Sequence, residues 1–278
     1  MRRSIWLSTT AVASLFAAIA APAFADDQPA VSQTNFTFDA GGGQISRQGL
    51  GYAQGSVSVP LGHSFGLQLD GSGGSWNGKA FEGVVGNLFW RDPSFGLFGL
   101  YGEYLNSNTP HLVTYDPFTN VTKSDSDSTL QRGGVEGDLY LNRFSLESRL
   151  GWESGTVGDR FFDRANIAYY PSDNFRMALG QIEEAGEGVG TFTLEYQPSE
   201  KLGAVVFAEG LETHNTFSAF GGVRFYFGGP SKSLIAHERE DDPTVNIPED
   251  LLGIAHAIEH KKVGSACHNN EGMVIPCV

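Results

Sequence analysis

The stretch FSLESRLGWE, residues 144–153, decides the fold class because its side chains alternate strictly in character over most of its length. One parity is apolar and holds Phe144, Leu146, Leu150 and Trp152. The other parity is polar and holds Ser145, Glu147, Arg149 and Glu153. Because consecutive strand residues point to opposite faces, the stretch predicts a β-strand with one apolar and one polar face.

The same alternation extends along the chain from residue 34 to residue 228. In residues 130–141, for example, Val135, Leu139 and Leu141 oppose Arg132, Glu136, Asp138 and Tyr140. The pattern predicts about twelve strands, at residues 34–41, 50–60, 64–73, 80–90, 95–105, 129–141, 143–154, 160–170, 174–184, 189–197, 201–211 and 216–228.

The connections between these strands differ in predicted length. Short turns with Pro, Ser, Asp and Asn are predicted at residues 60–64, 91–94, 141–143, 171–174 and 198–201. Longer or Gly-rich loops are predicted between them, at residues 41–49, 73–79, 106–127, 155–160, 184–188 and 212–216. The role of the longest, 106–127, stays open.

These features together predict an all-β fold, a closed antiparallel transmembrane β-barrel of about 12 strands over residues 34–228. An even strand number, short turns alternating with longer loops, and aromatic residues at strand ends are typical of outer-membrane barrels. A sheet can span a bilayer only when it closes, because no water satisfies its edges there. The alternative is a secreted soluble β-sandwich, whose strands also alternate.

The first 25 residues are typical of a secretory signal peptide. Arg2 and Arg3 precede an apolar stretch, and Ala23-Phe24-Ala25 is a cleavage pattern. We therefore predict export to a bacterial outer membrane, with membrane lipid and the barrel-assembly machinery as partners, and a flexible N-terminus at residues 26–33.

Composition narrows the function classes. The chain has a net charge of −14, which argues against nucleic acid as a partner. Its histidines lie in predicted turns, loops or the tail, and no nucleophile–histidine pair falls on neighbouring strands. We therefore predict no enzyme, no catalytic residue, no metal and no cofactor.

If the apolar parity faces lipid, the polar parity lines the lumen. The predicted lumen-lining residues are Gln68, Asp70, Glu103, Arg132, Glu136, Asp138, Glu147, Arg149, Arg164, Arg176, Glu195 and Arg224. Two segments break the pattern: Asp163 shares a parity with Ile167, and Phe207 shares one with Glu209. Either a β-bulge shifts the phase there, or these side chains contact something inside.

Residues 229–278 differ in composition from the barrel and predict a short periplasmic tail. Pro248 followed by acidic residues and ending near Lys261 predicts a helix at about 248–261, with an apolar stripe that docks on the barrel rim. Cys267 and Cys277 are the two cysteines of an exported chain, so we predict a disulfide between them.

Two short segments carry a family resemblance. Residues 221–228, GGVRFYFG, followed by PSKSL at 230–234 and REDDP at 239–243, resemble alphaproteobacterial outer-membrane β-barrel proteins that are porin-like in the broad sense. The resemblance implies outer-membrane insertion. The chain departs from porins that end on an aromatic residue, because it continues from Phe227 to Val278.

The sequence therefore predicts porin-like passive diffusion of small solutes through a charge-lined lumen. The alternative is a non-conducting structural or binding barrel that acts through its outer loops or its tail. Solute, pore radius and oligomeric state are not determined by these patterns.

Overall fold

The computed structural model describes residues 28–109, 112–116, 121–125, 127–214, 216–241, 243, 245–264, 267–268 and 274–275. Side chains are described within 28–109, 127–214, 216–241, 243 and 245–258. The predicted signal peptide, residues 1–25, lies outside the described residues.

Within this part of the chain, twelve antiparallel strands close into a barrel, because β1 pairs with both β2 and β14. The remaining strands form two small hairpins, β6–β7 and β15–β16. The strands are β1 Asn35–Ile45, β2 Gln48–Leu61, β3 Phe65–Trp76, β4 Lys79–Asp92, β5 Gly96–Ser107, β6 Leu112–Asp116, β7 Val121–Asp125, β8 Ser128–Leu141, β9 Phe144–Gly155, β10 Arg160–Ser172, β11 Phe175–Glu184, β12 Glu187–Ser199, β13 Ala204–Glu212, β14 Phe217–Phe227, β15 Cys267–His268 and β16 Val274–Ile275. The fold prediction is confirmed, and the β-sandwich alternative is wrong.

The predicted alternation of loop lengths is wrong. Residues 46–47, 77–78 and 185–186 are two-residue turns between adjacent strands, with positive φ at both positions. The Gly-rich segment 41–43 lies inside β1, where neighbouring backbone comes close. A Cβ on Gly43 would lie 2.3 Å from the carbonyl oxygen of Ala219. Glycine here permits close strand approach and does not mark a loop.

The barrel has two distinguishable ends. The turn end carries the start of β1, the end of β14 and the connections 62–64, 93–95, 142–143, 173–174 and 200–203. The loop end carries the turns 46–47, 77–78 and 185–186, the connections 156–159 and 213–216, and the long connection 108–127 that contains the β6–β7 hairpin. Because the strand number is even, the barrel begins and finishes at the turn end.

The outer face of the barrel is apolar. Leu179 is 65% exposed, and Val84, Leu88, Leu100 and Ile167 are similarly open. Aromatic rings are grouped at the turn end, where Phe144 and Tyr169 stack with centroids 4.8 Å apart. This distribution is typical of a lipid-facing band with an aromatic girdle. Tyr170 does not belong to the girdle, because it is buried on the inner face.

The predicted tail helix is present, but its position differs from the prediction. Helix α1 covers Leu234–Glu240, a 3₁₀ turn covers Ile247–Asp250, and helix α2 covers Leu251–Gly264. Residues 243 and 245–258, here called the luminal segment, lie inside the barrel rather than on its rim. Among the described helices, none combines the length and apolar character of a membrane span.

Candidate functional site in the barrel lumen

The predicted lumen residues lie on the inner face of the strands, buried or half-buried among other inward side chains. Most of them form salt bridges or hydrogen bonds that join strands to one another or to the luminal segment. Those with the smallest exposure are Gln68, Asp70, Arg132, Glu136, Arg176, Glu195 and Arg224. The half-buried ones are Glu103, Asp138, Glu147, Arg149 and Arg164. Their use as the lining of a conducting pore stays a prediction.

Nearer the turn end, arginines and carboxylates form a network across the barrel wall. Arg176 lies 2.7 Å from Glu147 and 3.3 Å from Glu195. Arg224 lies 3.2 Å from Glu195 and 3.1 Å from Asp39. Because Glu195 contacts both arginines, the network links strands β1, β9, β11, β12 and β14 in one charged layer.

A second charged group surrounds Arg132, nearer the loop end. Its guanidinium lies 2.7 Å from Glu184, 3.2 Å from Glu153 and 3.8 Å from Glu103. It also forms an ion pair with Asp250 of the luminal segment. These charges stabilise one another only in this arrangement, because a buried ion that loses its partner retains its desolvation cost.

The 3₁₀ turn is held by side chains of several strands. Arg164 of β10 forms an ion pair with Glu249. Glu209 of β13 accepts a hydrogen bond from the amide of Asn246. The wall therefore holds this turn from two strands, β10 and β13, that are separated by β11 and β12.

Just before the 3₁₀ turn, backbone groups of the luminal segment bind polar residues of the wall. The amide of Gln68 donates to the carbonyl of Pro243 over 2.9 Å. The amide of Gln54 donates to the carbonyl of Val245 over 2.6 Å and its oxygen accepts from the N–H of Ile247 over 3.2 Å. These bonds satisfy backbone groups that a lumen without water would leave unpaired.

Toward the loop end, the lumen is an apolar core. Its central element is helix α2, on which Leu251, Leu252 and Ile254 are at most 1% exposed. Residues 251–258 of this helix are buried on every side, as in a helix that lies in the core of a protein. The barrel supplies that surrounding through Ile45, Leu50, Tyr52, Trp76, Phe81, Val85, Leu105, Leu130, Val157, Ile182, Ala185, Val189, Phe207, Leu211 and Phe220.

The shape of the wall matches the luminal segment at Gly83. A Cβ on this β4 residue would lie 2.6 Å from Cγ2 of Ile247, so a larger side chain would displace the 3₁₀ turn. On α2, a Cβ on Gly253 would lie 3.0 Å from a carboxylate oxygen of Glu184. Small residues on both partners therefore allow the close approach.

The alternation in the sequence did not predict that apolar residues face inward near the loop end. One signal was present: Phe207 breaks the alternation because it contacts the luminal segment's core, not because of a bulge. The register of β13 is regular at that position. The other irregular residue, Asp163, shares the outward parity of Ile167, which is 56% exposed.

At the turn end, α1 and the N-terminal residues close the barrel through a group that we call the clasp: Ser32, Lys232, His237 and Asp241. Asp241 accepts hydrogen bonds from Ser32 over 2.6 Å and from Lys232 over 2.7 Å, and lies 2.8 Å from the His237 ring. Burial acts to raise the pKa of Asp241, but hydrogen bonds from His237, Lys232 and Ser32 outweigh it and hold that pKa below its usual value.

The N-terminal residues are not loose where the structure describes them. Ala30 and Val31 are fully buried, and the N–H of Ala30 donates to the carbonyl of His63 over 2.7 Å. Arg91 donates to the carbonyl of Ala30 over 3.1 Å. The flexibility predicted for residues 26–33 therefore does not extend to residues 30–32.

A cavity of about 400 Å³ opens at the loop end beside α2. It is lined by residues 155–158 and 185–186, by Arg160 and by Ala257. The segment therefore reaches the level of the loop-end connections without filling the whole mouth.

Two predictions involve residues or side chains that the structure does not describe. The predicted disulfide includes Cys277, which lies outside the described residues. The predicted loop 106–127 contains the β6–β7 hairpin, whose side chains are also outside them. Within the described side chains no cluster of metal-ligating residues is found, and the predictions of no metal and no enzyme stay predictions.

No protein-family model matches the chain, and no curated protein matches it. Among solved structures it is similar to KdgM porin, both alone and in complex with disordered oligogalacturonate. In each case the TM-score is 0.51 at 11% identity, over 69% of this chain and 99% of that chain. A weaker likeness, TM-score 0.43 at 10% identity, joins it to outer membrane phospholipase A from Escherichia coli over 69% of this chain and 92% of that chain. At 11% identity, the likeness to KdgM porin shows a common barrel fold alone.

Proposed function

We propose that this chain is an integral outer-membrane β-barrel, with membrane lipid and the barrel-assembly machinery as its partners. The closed sheet, its apolar outer face and the aromatic rings at the turn end support this location. The alphaproteobacterial origin suggested by the sequence resemblance is part of the same proposal.

We further propose that the barrel does not conduct in the described state and acts as a structural or binding barrel. The observation that carries this function is the luminal segment, which occupies the lumen from Pro243 to Ile258. It binds the charged wall through Glu249 and Asp250 and forms an apolar core with the wall near the loop end.

The energetics favour a lasting closure. Ile247, Leu251 and Leu252 are each at most 1% exposed, and burial of such a side chain contributes about 1.5–3 kcal/mol. Withdrawal of the segment would expose these side chains and the apolar wall and would leave Arg132 without Asp250. Spontaneous opening would therefore cost on the order of 10 kcal/mol.

Porin-like diffusion is the second candidate, for a state in which the luminal segment has left the barrel. The specific observation in its favour is the mixed charge on the inner wall, where Arg149, Arg176 and Arg224 face carboxylates. Such a wall suits small polar solutes once water enters.

Planar-bilayer recording of the purified full-length barrel separates the two candidates. We expect no steady conductance from the full chain and large, stable conductance from a chain ending at Asp242. If the full chain conducts steadily, the non-conducting function is wrong.

A full-length variant that can be cross-linked provides a second test, which does not depend on the folding of the shortened chain. Glu209→Cys and Asn246→Cys, with both native cysteines changed to Ser, place thiols at a direct wall-to-segment contact. Because the luminal segment already closes the barrel, we expect this variant to carry little current both before and after a bifunctional thiol reagent joins the two thiols. A current that the reagent abolishes would instead support porin-like diffusion through a mobile segment.

A further inference from the structure

The C-terminal part of the chain crosses the barrel in one direction. It starts at the turn end, where the N–H of Ser32 donates to the carbonyl of Glu240 over 3.0 Å. Here α1 also binds the connection 173–174, because the N–H of Ile235 donates to the carbonyl of Asp173 over 3.0 Å. Residues 240–241 therefore lie at the end at which the barrel itself begins and finishes.

The next residues lie nearer the loop end. Asp250 pairs with Arg132, which lies four residues from the loop end of β8. Gly253 then lies beside Glu184, the last residue of β11 at the loop end. The order of these contacts along the chain fixes the direction of α2 toward the loop end.

Helix α2 continues past the rim. Ala257 lines the loop-end cavity together with residues 155–158 and 185–186. From Ala257 to Gly264, an α-helix advances about 10 Å. The helix also contacts β6, part of the long connection at this end. Gly264 is thus on the far side of the barrel from residues 240–241.

We propose that the barrel presents the end of α2 and the β15–β16 hairpin on the outer surface of the cell. This inference rests on the outer-membrane location proposed above, with the long connection 108–127 on the extracellular side, as in outer-membrane barrels. The luminal segment then has a second role beyond closure, since it carries the end of α2 and Cys267 across the membrane.

Thiol labelling on intact cells tests this with point substitutions alone. Cys277→Ser leaves Cys267 as the single thiol. A membrane-impermeant maleimide should label it on intact cells at least about ten times more than a thiol on the opposite face. That comparison thiol is Leu202→Cys in the Cys267→Ser, Cys277→Ser background, because Leu202 is 70% exposed at the turn end.

A loop-end thiol, Asp159→Cys in the same cysteine-free background, separates the two ways in which the experiment can fail, because Asp159 is exposed in the connection 156–159. If Asp159→Cys is unlabelled on intact cells but labelled after permeabilisation, the outer-membrane orientation is wrong. If Asp159→Cys is labelled but Cys267 reacts only after permeabilisation or denaturation, the orientation stands and surface presentation is wrong.

Discussion

The two halves of the lumen are filled in different ways. Near the turn end, the wall is a charged network that links Arg176, Glu195 and Arg224. Near the loop end, the wall is largely apolar and packs around α2, with the Arg132 group between the two halves. The side chains on the inner face of this barrel are therefore matched to what lies against them. They are apolar where they surround α2 and charged where they pair with one another across strands.

In the apolar half of the lumen, we expect the largest loss of stability from Ile247→Asp. A carboxylate there would lose the burial of Ile247 and would lie among apolar side chains without a cation. We expect a loss of about 5 kcal/mol or more, with release of the luminal segment. The measurement is the midpoint of heat-modifiable mobility on a detergent gel. Leu202→Asp, at a 70% exposed position, is the control, and an equal loss in both variants would contradict the apolar core.

The next test concerns the boundary between the halves. Arg132→Gln leaves Glu103, Glu153, Glu184 and Asp250 without their common cation, and we expect a loss of about 3–5 kcal/mol. Arg143→Gln breaks an exposed pair with Asp173 and should cost at most about 1 kcal/mol. Chemical denaturation in detergent measures both. If Asp250→Asn, added to Arg132→Gln, restores part of the lost stability, then Asp250 of the luminal segment is one of the carboxylates that Arg132 neutralises. Equal losses of stability in Arg132→Gln and Arg143→Gln would contradict this role of Arg132.

A smaller loss of stability is expected at Gly83, where the wall and the luminal segment approach closely. Gly83→Val should displace Ile247 and cost about 1–3 kcal/mol, because the new side chain overfills a packed space. Gly102→Val is the matched change on the neighbouring strand, where a Cβ would meet no atom within 4 Å. Limited proteolysis of the C-terminal segment reports displacement. Equal protection in both variants would show that the close approach at Gly83 has no consequence.

The smallest expected effect is the pH response of the clasp. The pKa of Asp241 is held below its unfolded value, so its contribution is complete above the unfolded pKa of about 3.9 and is lost as pH falls through the lower folded pKa. We expect hydrogen exchange in α1 to be unchanged from about pH 7 to about pH 5 and faster near about pH 2, after correction for intrinsic rates. Asp241→Asn should remove this response while Asp173→Asn keeps it.

Much of the barrel could be predicted because strand alternation is local. The predicted strand at 143–154 differs from β9, Phe144–Gly155, by one residue at each end. The argument from loop lengths was nevertheless wrong, since glycines 41–43 lie within a strand. Local composition does not distinguish a glycine that turns the chain from one that lets two strands approach closely.

The lumen was predicted in part. The parity of Arg132 and Glu136 on β8 follows from the sequence, and both lie on the inner face. Their partners do not follow from it, because Asp250 is 118 residues from Arg132 along the chain. Ion pairs between distant residues depend on which strands and segments meet in space.

The sequence by itself determined the strands, their apolar and polar faces, and the helix near residue 248, because all three follow from side-chain periodicity over short distances. Only the tertiary structure decided that the barrel is filled by its own C-terminal segment. A stripe of Leu251, Leu252 and Ile254 can dock on a rim or enter a lumen, and local periodicity is the same in both cases. The choice depends on the apolar wall that β1–β5 and β11–β14 assemble only once the barrel has closed.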